Sequence, residues 1–222
     1  MPVAKLTPPP RQSTVEYLAE QLRTAVMTGA LPPGTQLGEA DLAERFEVSR
    51  GPLREAMQRL VSEGLLHAIT NRGVFVSELT PADVRDVYHT RSVIERGALE
   101  VVLEERREET HAALAAPLEA MRAAAEQSDP SAMSDADQQF HEVLVESSAS
   151  PRLQRAMRTL LAETRMCLGA LETTYPDLWS QLREHEELRE AIASEPPARV
   201  KALLLAHLDD AVERLSAKRV ES

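Results

Sequence analysis

Apolar residues along this chain recur mostly every three or four positions, the spacing of one helix face. Ser13 and Glu16 form a capping box, and it opens a helix with Val15, Leu18, Leu22, Ala25 and Val26 on one side. Gly29 ends that helix, and Pro32-Pro33-Gly34 makes a turn. Leu42, Ala43 and Phe46 mark a short second helix that breaks at Glu47-Val48. Leu53, Met57 and Leu60 mark a third. Ser49 is placed to cap it through its hydroxyl, and Pro52 falls in the first turn, where its missing N–H breaks no bond. Gly64 stands at the end of this helix. Two β-prone runs follow, Leu66–Thr70 and Val74–Val76, separated by Asn71-Arg72-Gly73. A three-residue loop with glycine suits a hairpin, and a lone hairpin is marginal in water, so this one is expected to pack on the helices as a wing.

Beyond Thr80 the pattern predicts helices only, over roughly 81–106, 108–127, 130–147, 150–173, 176–194 and 196–219. Thr80-Pro81-Ala82-Asp83 starts the first, and Pro130, Pro151, Pro176 and Pro196-Pro197 punctuate the later starts. The expected fold class is mainly α. A winged helix-turn-helix domain spans 13–78, an all-α six-helix bundle spans 79–222, and a proline-rich, disordered arm occupies 1–12.

Composition sharpens this picture. Apolar residues make up 43% of 222, enough for packed cores, yet charges interrupt every apolar run and none is long enough for a membrane span. The N-terminus has no apolar signal-peptide core, and a single cysteine, Cys167, allows no internal disulfide. Both fit a cytoplasmic protein, with Cys167 expected to be a small packed residue. The formal charge of −11 suits a DNA binder poorly until it is divided. Residues 1–78 carry eight Lys+Arg and nine Asp+Glu; the other seventeen basic and twenty-seven acidic residues lie in 79–222. The first part is thus near neutral, and the acidic remainder limits indiscriminate phosphate binding.

Arg50 and Arg54 lie four apart, so they project together from the face opposite Leu53 and Met57. Two helices, a short turn and guanidinium groups near the second helix's start are what a reader of the major groove needs. Arginine suits the task because its planar fork can meet guanine O6 and N7 with two hydrogen bonds. Arg72, at the tip of the wing, is expected near a phosphate or the minor groove. A plain helix pair with solvated arginines is the alternative.

In the bundle the apolar stripes are interrupted. The inward series read Met133, Asp137, Phe140, His141, Leu144; then Leu178, Leu182, His185, Leu188, Ile192; then Val200, Leu203, Leu204, His207, Leu208, Ala211. One aspartate and three histidines occupy core positions, and a buried carboxylate is costly unless something neutralises it. Asp137 and His141, four apart, can grip one ion from a single helix turn. Three imidazoles and a carboxylate suit zinc, nickel, cobalt, iron or manganese, and ligand type alone does not choose among them. Each residue taken singly also fits a hydrogen-bonded core group. His67, His89 and His111 show no such pattern. Arg91 falls on the inner stripe of Val84, Val87, Tyr88, Ile94 and Ala98. A carboxylate ligand lying between a cation and Arg91 would satisfy it, and so would an ion pair with Glu95 four residues on.

At this point the chain resembles a family. LAERFEVSRGPLREAMQRLVSEGLL with its NRG turn is similar to the DNA-binding domain of GntR-type bacterial transcriptional regulators. The TRSVIE run, the DQQFH motif and the two later histidines resemble the FCD effector domain of the FadR subfamily, in its shorter, VanR-like branch. The likeness covers about residues 13–219. It implies a homodimeric repressor or activator acting on palindromic operator DNA, with a small carboxylate (a sugar acid, hydroxy acid or similar) as effector beside a metal. By resemblance, Arg50 and Arg54 are base readers and Gly73 is the wing glycine. The whole DNA-facing set is Arg45, Ser49, Arg50, Gly51, Pro52, Arg54, Arg72 and Gly73. Asp137, His141, His185 and His207 match the metal ligands, for one divalent ion per chain with zinc placed first. Arg91 matches the arginine of the R-x-x-x-E helix and is the expected effector contact. Ala40 departs from members with a further DNA-contacting arginine, and Ser150 replaces the asparagine that usually follows the FHxxL helix.

The competing class is a metal-dependent, hydrolase-like enzyme, since such a site can activate water. Against it stand the absence of a separate general base or nucleophile motif and a winged helix it leaves unexplained. A DNA-bending protein is a third class, which the near-neutral reader and acidic bundle argue against.

Overall fold

The computed structural model describes residues 13–169 and 177–217, except for the side chains of 162, 166–169 and 215–217. The proline-rich arm, the predicted helix ends at 170–173 and 218–219, the start signal at Pro176 and the side chain of Cys167 lie outside the described residues. The chain divides into two compact units, Met1–Glu78 and Leu79–Ser222.

The first unit runs α1 (Thr14–Met27), β1 (Gln36–Leu37), α2 (Glu39–Arg45), α3 (Arg50–Ser62), β2 (Leu66–Ile69) and β3 (Gly73–Val76). Ser13 and Glu16 close the capping box of α1, and Gly29 follows its last turn with φ +73°. Leu18, Leu22, Leu53, Met57, Leu60, Leu65, Leu66 and Val76 are buried, so the hairpin shares a core with the helices rather than standing alone. The sheet has three strands rather than two, in the antiparallel order β1-β3-β2, with Leu37 opposite Val74 and Leu66 opposite Val76. Two residues are too short a run to show an alternation, which is why β1 has no signature of its own.

The turn between α2 and α3 closes without glycine. Val48 N–H donates to Ala43 O at 3.0 Å, Glu47 N–H to Glu44 O at 3.1 Å, and Glu47 takes φ +54°. Ser49 stands at the N-cap of α3 with extended backbone, but its hydroxyl makes no capping bond, contrary to expectation. Ser49 is exposed, so water can serve its hydroxyl instead. In the wing, Asn71 and Gly73 both take positive φ, and Gln36 Nε2 donates to Arg72 O at 2.6 Å, tying β1 to the tip.

The second unit has α4 (Pro81–Glu105), α5 (Arg107–Ala113), α6 (Ala115–Gln127), α7 (Pro130–Glu146), α8 (Pro151–Gly169), α9 (Leu178–Ser194) and α10 (Pro197–Ala217). The helix expected over 108–127 is therefore two, which makes seven helical segments among the described residues. Pro117 is the reason: it has no N–H to give the Ala113 carbonyl, and its ring crowds that carbonyl, so the ladder stops at Leu114 and restarts. Leu99, Val102, Leu114, Met121, Phe140, Leu144, Ile192, Val200 and Leu204 lie in one buried cluster. In it α4 packs on α7, α8 and α10, and α6 on α7 and α9.

α4 is anchored by a second capping box. Asp83 N–H donates to Thr80 Oγ1 at 3.2 Å and Thr80 N–H to Asp83 Oδ2 at 2.7 Å. Thr80→Ala is expected to cost about 1 kcal/mol, read as a lowered urea midpoint of the full chain at unchanged slope. An unchanged midpoint would mean that the box is dispensable to α4.

Candidate functional site

Helical spacing brings Asp137 and His141 to the same inner face of α7, one turn apart. His185 arrives from α9 and His207 from α10. Asp137, His141 and His185 are buried, and the His207 side chain is 9% exposed. Each of the four offers one ligand atom, and these atoms lie within 4.8 Å of one another. Imidazole nitrogens bound to one ion at about 2.1 Å each stand at most about 4.2 Å apart, so the widest gap is within a sub-ångström adjustment of one ion's reach. The His141 and His207 rings stack at 5.2 Å, and His185 meets His207 edge-on at 4.4 Å.

Each histidine has its second ring nitrogen fixed by an acceptor. His141 Nδ1 lies 2.7 Å from Glu95 Oε2, His185 Nδ1 2.8 Å from Gln181 O, and His207 Nδ1 3.2 Å from Glu184 Oε2. Ionised carboxylates and a carbonyl only accept, so Nδ1 carries the proton and Nε2 turns a lone pair toward the centre. His141 Nε2 and His207 Nε2 then face each other at 3.2 Å. His185 Nε2 is buried without a hydrogen bond, 3.1 Å from Asp137 Oδ1 but outside hydrogen-bonding geometry. Converging lone pairs beside a carboxylate, one on an orphaned nitrogen, are what a cation would relieve, so the residues fit a divalent ion. Gln181 Nε2 also donates to Asp137 Oδ1 at 3.0 Å and aims the carboxylate.

Burial pushes the Asp137 carboxyl up, but positive charge on His185, His141 and His207, where they are protonated, outweighs it and holds the carboxyl well below the usual carboxylate range; with the imidazoles neutral, a bound cation would have to supply that charge. Burial, reinforced by His185 and His141, pushes His207 well below the ordinary imidazole range, which keeps it neutral as a ligand must be. Burial likewise works to raise Glu95, but His141 and Arg91 bring it down to about 2.

Arg91 on α4 is 1% exposed. Its Nε donates to Glu95 Oε1 at 2.9 Å, its Nη1 reaches Thr164 Oγ1 on α8 at 3.5 Å, and its guanidinium sits 4.9 Å from the Tyr88 ring centre. The ion pair with Glu95 thus forms, yet Nη2 is buried with no hydrogen-bond partner. Spacing along α4 marks Glu95 only as a counter-charge to Arg91. It also bridges Arg91 to His141, a role that four-residue spacing from Arg91 could not reveal, because the third partner is on another helix. Gln181 and Glu184 were not anticipated at all; both lie one turn or less from His185 on α9, which is the signal that could have found them. His111 pairs with Glu190 at 3.1 Å and His67 stacks on Phe75 at 5.7 Å, and neither belongs to the group of four.

In the first unit Arg45, Ser49, Arg50, Gly51, Arg54, Arg72 and Gly73 are exposed and Pro52 is half-buried. Arg50 and Arg54 leave the same side of α3, while Leu53 and Met57 are buried on the other. Arg54 is held by a neighbour the sequence did not suggest: its Nε and Nη2 lie 3.1 and 2.7 Å from the two oxygens of Glu39 on α2.

Residues 14–76 match the sequence model of the bacterial regulatory proteins of the gntR family, and residues 86–210 match that of the FCD domain. The chain belongs to the GntR family. It is a transcriptional regulator with an N-terminal GntR helix-turn-helix, through which it binds DNA, and a C-terminal FCD domain whose buried Asp/His cluster could hold a metal. Among its relatives, the HTH-type transcriptional regulator YdhC of Bacillus subtilis is 31% identical over 88% of each chain. The gluconate operon transcriptional repressor of the same organism is 27% identical, over 92% of this chain and 86% of its own. A crystal structure of a GntR regulator from Rhodococcus sp. RHA1 superposes with a TM-score of 0.80 at 27% identity, covering 90% of this chain and 96% of that one. These relatives are regulators, not enzymes, which sets aside the hydrolase alternative. Among the described residues no helix is long and apolar enough to cross a membrane.

Proposed function

We propose that this GntR regulator is a cytoplasmic homodimer that binds a palindromic operator and responds to a small carboxylate held between a divalent ion and Arg91. The observation that carries the reading is the buried group of Asp137, His141, His185 and His207, with the unpartnered Nη2 of Arg91 on the facing helix. A divalent ion held by the four would supply a Lewis-acidic anchor for a carboxylate oxygen. Glu95, Gln181 and Glu184 orient the ligands, and Arg91 offers the second positive group an anion needs. Helices α4, α7, α9 and α10 contribute to the site, and α4 follows the DNA-binding unit directly in the chain. An anion that draws these helices together can therefore bias how two DNA-binding units are presented, and the coupling is reciprocal. Homology to gluconate operon repressors makes sugar acids the first effectors to try. Zinc heads the candidate ions, with nickel, cobalt, iron and manganese behind it.

On the DNA side we assign Arg45, Ser49, Arg50, Gly51, Pro52 and Arg54 to the major-groove face and Arg72 and Gly73 to the wing. A dimer places two such faces on half-sites about one helical turn apart. The test is calorimetric titration of sugar, hydroxy and aromatic acids into metal-loaded and chelated protein, paired with footprinting of the duplex the protein selects from a random library. Carboxylate binding is expected to vanish on chelation and to shift operator affinity. Arg50→Ala or Arg54→Ala is expected to weaken operator binding roughly ten- to hundredfold at matched salt. Equally tight carboxylate binding by metal-free protein would remove the proposed mechanism. An unchanged footprint in both arginine variants would remove the reading face.

A further inference from the structure

We propose that Glu39 is a positioning residue for Arg54, clamping it side-on so that the reading face favours base contacts over indiscriminate phosphate contacts. This rests on the reading that α3 enters the major groove. The contact is a fork, with Nε 3.1 Å from Glu39 Oε1 and Nη2 2.7 Å from Oε2. Side-on pairing uses two of the guanidinium's five N–H groups, and the end-on edge formed by Nη1 and Nη2 stays available. That edge is the one a guanine O6 and N7 accept from in a bidentate contact. A flexible arginine is thereby held before DNA arrives, and the ordering entropy is not lost at binding.

The pair is on the surface, with side chains 61% and 33% exposed for Arg54 and Glu39. An exposed ion pair adds little to folding, so stability does not account for it. Glu39 also lies within the field of Arg50, which together with Arg54 holds its carboxyl below the usual range. Arg50, Arg54 and Glu39 thus present one net positive charge to the duplex where the two arginines alone would present two. Sequence-independent affinity follows that charge through counterion release, whereas base readout follows the geometry of the fork. Glu39 therefore lowers the first and sharpens the second.

The experiment uses the full chain and two duplexes of equal length, the one wild type selects from a random library and a scrambled version. Glu39→Gln is expected to raise affinity for the scrambled duplex about three- to tenfold and to steepen its log–log salt slope by about one. Affinity for the selected duplex is expected to change much less, so discrimination falls several-fold. In the Arg54→Ala background the same substitution should leave discrimination where it was, because the clamp has nothing to hold. Glu39→Asp keeps the charge but is one methylene too short to serve both nitrogens. It should keep the wild-type salt slope and still lose discrimination. Unchanged discrimination in Glu39→Gln, or an equal fall with and without Arg54, overturns the proposal. A large drop in thermal midpoint in both Glu39 variants does so too, since it would make Glu39 a folding residue. Arg54→Ala with unaltered binding would overturn both this inference and the reading on which it rests.

Discussion

His185→Ala is expected to bind zinc, nickel or manganese at least a hundredfold more weakly than wild type. His185 is one of four convergent donors, its Nδ1 is already committed to Gln181 O, and its Nε2 has no other use in the structure. Removing even an outer partner of a metal ligand weakens binding about ten- to a hundredfold, and removing a ligand itself does more. A chromophoric chelator titrated against wild type and variant gives the ratio. Wild type should also gain roughly 2.7 kcal/mol of stability at a free metal concentration a hundred times its dissociation constant, seen as a raised thermal midpoint that the variant lacks. Protein purified without added metal, then found empty and thermally indifferent to all three ions, would make the four side chains an ordinary buried polar cluster.

Arg91→Ala is expected to lower folding stability by about 3–5 kcal/mol and to abolish measurable carboxylate binding. The two losses share one cause. Glu95 is fully buried and ionised, with Arg91 on one oxygen and His141 on the other. Truncating Arg91 leaves a buried carboxylate with half its compensation, and breaking a buried pair from one side is among the costlier single changes. Arg91→Ala/Glu95→Gln should recover a substantial part of the loss, because the stranded charge goes with it. Arg91→Lys keeps the charge and the fold but gives up the planar fork, so it separates the two effects: stability near wild type, carboxylate affinity well below it. Carboxylate titration of metal-loaded Arg91→Lys that matches wild type would assign anion binding elsewhere.

Most of the candidate site was visible as a disturbance of period. Asp137, His141, His185 and His207 stand out because each interrupts an apolar helical stripe, and a stripe is a property of one segment that can be read without its neighbours. The partners could not be read in this way. Glu95 reaches His141 across forty-six residues, and Glu39 reaches Arg54 across fifteen. Neither carboxylate breaks a local rule, since one sits four residues from an arginine and the other in the first turn of a helix, where acids are ordinary.

Helix ends and turns followed local chemistry equally well or failed for local reasons. The capping boxes at Ser13 and Thr80 and the glycines at 29 and 64 act through bonds within a few residues, so they appear where the sequence places them. The break at Leu114 is also local, and Pro117 marks it one turn downstream of the carbonyl it cannot serve. The strand at Gln36–Leu37 is different, since two residues become a strand only because β3 lies beside them with open hydrogen-bonding groups.

The helical faces, their start signals, the concentration of acid beyond residue 78 and four ligand-type side chains at core positions can all be read from the chain alone, because each depends on composition or on spacing within one helix. Packing alone reveals that those four meet within 4.8 Å, that each imidazole is held with Nε2 inward, that Arg91 keeps an unpartnered nitrogen and that Arg54 is clamped. These are properties of pairs on different helices. Their distances follow from how whole faces pack, and packing depends on the summed shapes of many side chains rather than on any one residue's neighbours in the chain.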